Sequence, residues 1–158
     1  MIRACILLAA VSVRCGETEA REAECGPDLV VVSRVLDGDT VELTDGRHVR
    51  VIGIDAPETG ECYADEATEY LRSLVEGQPV MLRYDEATCV DRYGRTLAHI
   101  ASDDGDVAEL QVLRGHACAY AVSPTGDDVM AMLQEYEWSA RAEARGLWSC
   151  AKPPECTR

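Results

Sequence analysis

The chain has few basic side chains. Its 158 residues carry 15 Lys and Arg against 29 Asp and Glu, so the formal net charge is −14 at pH 7. This balance excludes a general electrostatic surface for nucleic acid or for an anionic membrane. Any contact with a polyanion must therefore depend on a local basic cluster or on a bound cation.

Long hydrophobic runs are also lacking. The apolar run at residues 4–13 follows Arg3 and is too short to span a bilayer. It is typical of a signal peptide, with a buried N-terminal helix as the alternative. Cys15 follows as in bacterial lipoproteins, although Arg14 stands where those proteins usually have a small residue. We expect residues 1–26 to be a signal peptide or lipoprotein-like leader with a polar tether, and the protein to be exported to the periplasm, the medium or a lipid-anchored position on the cell surface.

No CxxC pair occurs among the cysteines, which disfavours a zinc ribbon or a thioredoxin-type redox site. Eight widely spaced cysteines in a chain of this size favour disulfides in an oxidising compartment. They are Cys5, Cys15, Cys25, Cys62, Cys89, Cys118, Cys150 and Cys156.

The pattern of the chain predicts one folded domain at residues 27–150 and a short Cys-containing tail at 151–158. Strand-like segments alternate apolar and polar residues or are rich in β-branched residues. They are 29–36, 41–43, 47–54, 79–87 and 96–102. The first three are separated by the turn sequences DGDT and DG, which predicts a meander.

Apolar residues at helical spacing predict three helices, each followed by glycine. They cover about 67–75, 107–113 and 127–145. Five short antiparallel strands must either expose their edges or close. Since a helix follows the third strand, the predicted fold is mainly β with helices (α+β): a five-stranded Greek-key barrel of the OB type with three α-helices.

Charged residues gather in three places in this pattern. Taken singly, each has an ordinary structural explanation: an Asp in a DG turn caps backbone amides, an Arg in a strand can lie at a sheet edge, and DRYGR can be a polar hairpin. The clusters are Asp37 with Asp39; Arg50 with Asp55 and Glu58; and Arg92 with Arg95.

The clusters point to chemistry when they are taken together. Asp39 begins the second strand and Asp55 ends the third, so hairpin pairing brings both carboxylates to one edge. Two such oxygen ligands suit Ca²⁺ or Mg²⁺. Pro57 forces Ala56 to be extended, which lets the Ala56 carbonyl face a cation. Glu58 then lies close enough to hold a metal-bound water.

The position of Arg50 raises a geometric question. Arg50 and Asp55 are an odd number of residues apart, which places them on opposite faces of a regular strand. Gly53 lies between them and can form a bend or a bulge. The strand must bend near Gly53 if both side chains are to face one site.

Several segments, in this order and spacing, resemble the staphylococcal nuclease (thermonuclease) family. They are VLDGDTVEL, VRVIGIDAPE, DRYGRTLAHI, RGHACAYAV and ARAEARGLWS, within residues 29–150. The resemblance implies an OB-fold barrel with three helices and a Ca²⁺-dependent endonuclease. The expected reaction is hydrolysis of phosphodiester bonds in DNA and RNA to 3′-phosphate and 5′-hydroxyl ends.

The resemblance also implies a role for each site residue. By position, the family's functional residues correspond to Asp39, Asp55 and the backbone carbonyl of Ala56 for the metal; Arg50, Glu58 and Arg95 for catalysis; and Arg92, Tyr93 and Tyr120 for substrate binding.

In this family the loop after Glu58 and the DRYGR loop both border the active site, so the resemblance predicts a Cys62–Cys89 disulfide. The remaining expectations are a pair between Cys150 and Cys156, or between one of these and Cys25; a buried free thiol at Cys118; and structural or surface roles for His48, His99 and His116.

Three functions are then open. The first is an exported, monomeric Ca²⁺-dependent endonuclease acting on single-stranded or denatured DNA and RNA, with a lipidated Cys15 as an optional membrane tether. The alternative is a catalytically idle OB-fold module that binds nucleic acid or protein, and a third option is an acidic Ca²⁺-binding surface protein. Idle members of the family usually lose the carboxylates or the arginines, and this chain keeps them.

Overall fold

The structure is a computed structural model that describes residues 25–85, 88–153 and 156. Residues 1–24, which hold most of the predicted leader and Cys15, lie outside the described residues. Across the described ranges, the helices are all too short or too polar to cross a membrane.

Within these ranges the chain alternates strands and helices as a mixed α+β fold. In chain order they are β1 (Leu29–Val35), β2 (Thr40–Leu43), β3 (His48–Val51), β4 (Ile54–Asp55), α1 (Ala64–Val75), β5 (Pro79–Arg83), β6 (Thr96–Ser102), β7 (Gly105–Asp106), α2 (Val107–Arg114), β8 (Cys118–Ala119), α3 (Asp127–Ala142) and a 3₁₀ helix (Gly146–Ser149).

Five of the strands form a closed barrel. β1, β2 and β3 pair as the predicted antiparallel meander, and β5 joins β1 to β6 in the order β3-β2-β1-β5-β6. β3 also pairs with β6 in parallel, with Val49 opposite Thr96 and Val51 opposite Ala98, which closes the sheet. The predicted five-stranded barrel with three α-helices is thus confirmed.

The predicted third strand, 47–54, is interrupted. β3 ends at Val51, and the chain turns at Ile52 and Gly53 before β4 begins. β4 leaves the barrel and pairs with β8, so that Asp55 lies opposite Cys118. Gly53 has φ +90°, a conformation that favours glycine, and this explains why a regular strand stops there.

The core is built from β-branched and leucine side chains of the barrel together with the inner faces of the helices. Leu71 on α1, Val112 on α2 and Leu133 on α3 are fully buried in the same cluster as the barrel valines. Along β1, alternation buries Val30 and Val32, and an irregularity in the register between Val32 and Arg34 then lets Val35 face the core as well. The helices thus seal the barrel and hold the loops at its ends.

One buried polar side chain ties three elements together. Gln111 on α2 is fully buried, and its Nε2 donates to the carbonyl of Gly38 at 2.7 Å and to that of Ala67 at 3.2 Å. Buried amides need such partners. These bonds fix the DGDT turn between β1 and β2 against the two helices.

The disulfides differ from those predicted. They join Cys25 to Cys89, Cys62 to Cys150 and Cys118 to Cys156. The predicted Cys62–Cys89 disulfide is therefore wrong, and so are a pair between Cys150 and Cys156 and a free thiol at Cys118.

Packing explains why the cysteines pair differently from the prediction. Tyr63 packs against the cluster that contains the C-terminal 3₁₀ helix, so neighbouring Cys62 faces that segment and not the DRYGR loop. The Tyr84 hydroxyl donates to the Pro27 carbonyl at 2.9 Å, which places the N-terminal segment beside Cys89. Each bridge thus joins a terminal segment to the barrel domain.

We expect Cys62→Ala/Cys150→Ala to lower the free energy of unfolding by about 2–5 kcal/mol, because the unfolded chain regains the freedom of a long loop. The two cysteines are separated by 88 residues. Chemical denaturation measures the loss, with Cys118→Ala/Cys156→Ala, which opens a loop of 38 residues, as a comparison. A peptide linked through Cys62 and Cys89 in non-reducing peptide mapping would contradict the observed pairing.

Candidate active site

A polar cleft of about 370 Å³ lies where the β1–β2 turn, β3, β4 and the β5–β6 connection meet. It contains most of the residues predicted from the sequence, and adds two neighbours, Asp37 and Pro57. The cleft is lined by Asp37, Asp39, Arg50, Asp55, Ala56, Pro57, Glu58, Tyr93 and Arg95.

Strand pairing places Asp39 beside Arg50. Thr40 on β2 lies opposite Arg50 on β3, and the Val51 N–H donates to the Asp39 carbonyl at 2.9 Å. The Asp37 carboxylate accepts from the Asp39 N–H at 3.0 Å and closes the DGDT turn. Hairpin pairing thus brings Asp39 and Arg50 to one edge, whereas Asp55 reaches the same site from β4.

Arg50 bridges the two predicted metal-binding carboxylates. Its Nε lies 3.1 Å from Asp39 Oδ1, and its Nη2 lies 3.1 Å from Asp55 Oδ1. Nη1 donates to the Val51 carbonyl at 2.8 Å. Only 14% of the Arg50 side chain is exposed, so the guanidinium is held in place from three sides.

Asp39 is a buried carboxylate whose cationic neighbour is Arg50. Burial raises the pKa of Asp39 to about 7, against the attraction of Arg50, and the nearby charge of Asp37 adds to the rise. Hydrogen bonds from the Ala56 N–H at 2.8 Å and the Thr40 hydroxyl at 2.9 Å favour the carboxylate but do not outweigh burial. A further cation near Asp39 would stabilise its ionised form.

The bend at Gly53 brings Asp55 to the same side as Arg50. β4 begins after the bend, and the Tyr120 N–H donates to the Gly53 carbonyl at 2.8 Å. A side chain at this position would lie 2.7 Å from Leu133 Cδ1, so the close approach of α3 also requires glycine. The odd spacing between Arg50 and Asp55 is resolved by this bend.

Arg95 is oriented by Asp91, a residue to which the sequence assigned no role. The Asp91 carboxylate accepts from the Arg95 backbone N–H at 2.9 Å and from its Nε at 2.7 Å. Partial burial would raise the pKa of Asp91, but these bonds outweigh it and lower the pKa. Among the described residues none bonds to the terminal nitrogens of Arg95, which therefore stay available at the cleft.

The three residues predicted to bind substrate differ in their position relative to the cleft. Tyr93 lines the cleft and is 68% exposed, with the Arg92 guanidinium 4.7 Å from its ring centre and the Arg95 guanidinium at 5.6 Å. Among the described residues, Arg92 and Tyr120 do not line the cleft. Arg92 covers the ring of Tyr93, and Tyr120 is half-buried beside the bend at Gly53.

Glu58 lies on the exposed loop that follows Pro57. Its backbone N–H donates to the Glu61 carboxylate at 2.8 Å, and the Glu61 N–H donates to the Glu58 carbonyl at 2.8 Å. This turn holds the Glu58 carboxylate at the mouth of the cleft. The cleft thus combines paired carboxylates, two guanidiniums and an accessible carboxylate, a set suited to hydrolysis of a phosphate ester.

Several known proteins are similar to this chain in sequence. The model of the family described as staphylococcal nuclease homologue matches residues 48–150. An uncharacterized endonuclease of Escherichia coli is 41% identical over 126 residues, which cover 77% of this chain and 78% of the relative. A micrococcal nuclease of Shigella flexneri is 37% identical over 130 residues, covering 75% and 72%. A prophage-derived endonuclease of Bacillus subtilis is 30% identical and is matched over 44% of its length.

We expect Gly53→Ala to lower the free energy of unfolding by about 2–5 kcal/mol, since it adds a steric clash to the cost of a positive φ. Gly46→Ala is the matched control: Gly46 has φ +85°, but a Cβ there would meet nothing within 4 Å. The control should lose only about 1–2 kcal/mol. Urea denaturation of both variants measures the difference, and equal losses would show that the contact with Leu133 does not constrain the bend.

Proposed function

The chain belongs to the family of staphylococcal nuclease homologues, and we propose that it is an exported, Ca²⁺-dependent endonuclease that hydrolyses phosphodiester bonds of DNA and RNA. The observation that carries the proposal is the cleft itself, where Arg50 bridges Asp39 and Asp55 while Arg95 and Glu58 line the same space. The relatives named as endonucleases support the same activity.

The donor groups fit a hard divalent cation. The Asp39 and Asp55 carboxylates and the Ala56 carbonyl would hold it through oxygen, as Ca²⁺ prefers. Four carboxylates line the cleft against two guanidiniums, which leaves an excess of negative charge that a cation would balance. When bound, Ca²⁺ supplies Lewis-acid polarisation of a phosphoryl oxygen.

Arg50 has two possible partners in this cleft. It is already bonded to Asp39 and Asp55, so it can donate to a phosphate oxygen only by giving up part of that bridge. A cation bound to the two carboxylates would neutralise them and weaken their hold on the guanidinium. Binding of the cation and binding of a phosphate would therefore be coupled through Arg50.

Arg95 and Glu58 supply the remaining catalytic groups. Asp91 occupies Nε of Arg95, which leaves its terminal nitrogens to donate to the charge that grows on the phosphoryl oxygens. Glu58, at the mouth of the cleft, orients or deprotonates the attacking water. We propose that the bond to the 5′ oxygen breaks, leaving 3′-phosphate and 5′-hydroxyl ends.

The acidic surface limits the substrate. A net charge of −14 repels a long polyanion, and binding is weak because few phosphates are neutralised. The exposed ring of Tyr93, flanked by Arg92 and Arg95, can stack on an unpaired base, which favours single-stranded or denatured substrates.

The three disulfides support export to an oxidising compartment.

The same net charge favours a second candidate function. A domain that repels long polyanions could serve as a catalytically idle OB-fold module that binds protein or short nucleic acid. The two candidates differ in whether metal-dependent cleavage occurs at all, so one assay separates them.

We expect the purified chain to cleave denatured DNA and RNA with Ca²⁺ at low salt, and EGTA to abolish the cleavage. Arg95→Ala should reduce kcat/KM about 10³–10⁵-fold, since it removes a donor to the transition-state charge. Glu58→Gln should reduce it about 10²–10⁴-fold, since it removes the base. Quantitative cleavage of a fluorescent oligonucleotide measures both.

Matched controls separate these losses from changes of net charge. Glu135→Gln and Arg34→Ala alter exposed residues that do not line the cleft, and both should retain activity. The absence of EGTA-sensitive cleavage by the unsubstituted chain would rule out the endonuclease and leave the idle module.

Asp91→Asn should lower kcat about 10–100-fold, because Arg95 loses the charged partner that orients it. Asp45→Asn is the matched control, since Asp45 accepts from the backbone N–H and the Nε of Arg47 in the same way, at a turn outside the cleft. Steady-state kinetics of both variants give the comparison. Equal kcat values would mean that Asp91 only stabilises its turn.

A further inference from the structure

A second group of potential metal ligands lies apart from the cleft. It consists of Asp85, which follows β5, His99 on β6 and Asp128 in the first turn of α3. One ring nitrogen of His99 and one oxygen of each carboxylate lie within 4.8 Å of one another. These three residues, here called the His99 cluster, share no member with the catalytic cleft.

His99 supplies the independent indication of a ligand. It is only 2% exposed, and neither ring nitrogen has a hydrogen-bond partner among the described residues. Its Nε2 lies 3.9 Å from Asp128 Oδ1, too far for a hydrogen bond. Buried polar groups in native proteins almost always have partners, so a buried imidazole that faces two carboxylates without bonding to them is open to a ligand.

The protonation state of His99 suits ligation. Burial, and then the positive charge of Arg83, lowers the pKa of His99, although Asp128, Asp106 and Asp85 oppose the shift. This direction favours the neutral ring, which offers a lone pair to a metal.

We propose that Asp85, His99 and Asp128 bind a divalent transition-metal ion, with Zn²⁺ as the expected occupant. One imidazole nitrogen and two carboxylate oxygens make a three-ligand set that water completes to four-coordinate geometry. Imidazole ligands favour Zn²⁺ over Ca²⁺ and Mg²⁺, which prefer oxygen alone. The His99 cluster thus selects a different ion from the one proposed for the cleft.

The local contacts orient the cluster for this role. The Gly126 N–H donates to Asp85 Oδ2 at 2.8 Å. Arg83 Nη1 donates to Asp128 Oδ2 at 3.0 Å, while the other oxygen, Oδ1, is the one nearest His99. Such outer hydrogen bonds set the direction of metal-binding carboxylates.

The cluster must contract slightly to hold the ion. Ligands about 2.1 Å from a tetrahedral Zn²⁺ lie about 3.4 Å apart. Asp128 is 53% exposed and can move toward His99 by side-chain rotation. The charge of Arg83 opposes a cation, but the Arg83 side chain is 57% exposed and can turn into solvent.

A bound ion would increase the stability of the folded domain. Asp85 and His99 belong to the barrel, whereas Asp128 belongs to α3, whose Leu133 packs into the core. Metal bound between them joins the helix to the barrel in the folded state only. Its binding free energy therefore adds to the stability of the fold.

The test uses the full chain without an affinity tag, stripped of metal and titrated with Zn²⁺ by calorimetry and by thermal unfolding. We expect one Zn²⁺ per chain at the His99 cluster, and a Tm increase of about 5–10 °C when free Zn²⁺ is about 100-fold above Kd. Asp128→Asn should weaken binding about 100-fold or more. Asp127→Asn, the matched control, removes the same charge from the neighbouring position of α3 and should bind as the unsubstituted chain does.

An Asp55→Asn background distinguishes the two sites, because it removes a carboxylate from the cleft and leaves the His99 cluster intact. Zn²⁺ binding that persists in this background and disappears with Asp128→Asn supports the proposal. No Zn²⁺ binding by the unsubstituted chain, equal binding by Asp128→Asn, or equal losses in Asp127→Asn and Asp128→Asn would each overturn it. None of these outcomes depends on nuclease activity.

Discussion

The bridge from Arg50 to Asp39 and Asp55 is the interaction on which the site depends. It joins β3 to the DGDT turn on one side and to β4 on the other, with both contacts at 3.1 Å. Barrel closure between β3 and β6, the bend at Gly53 and the anchor from Gln111 to the Gly38 carbonyl all serve to hold its partners in place. A cation in the cleft would compete with Arg50 for both carboxylates.

Three guanidiniums lie at or near the cleft, although four carboxylates line it as well. The chain is strongly acidic, yet Arg50, Arg92 and Arg95 lie at or near one cleft. Affinity for long nucleic acid comes from many phosphate contacts, whereas chemistry at one phosphate needs only a few well-placed donors. The proposed preference for accessible, unpaired strands over duplex rests on this difference.

Much of the fold and of the site could be predicted because both depend on short-range patterns. The DG turns and the alternation of β1 to β3 specified the meander, and its register brought Asp39 beside Arg50. The orienting role of Asp91 was missed, although an acid four residues before Arg95 in a tight turn is a recognisable signal. The disulfides were mispaired because they join segments distant in sequence, and spacing alone does not determine connectivity.

The sequence by itself determined the meander of β1 to β3, the helices, the glycine at the bend and the residue types of the cleft, since these follow from periodicity, turn chemistry and resemblance. Only the tertiary structure decided which distant residues meet. Cys62 lies beside Cys150 because the C-terminal 3₁₀ helix packs near Tyr63. His99 faces Asp85 and Asp128 because α3 docks on the barrel. Such contacts arise from packing across the whole domain, which no local pattern encodes.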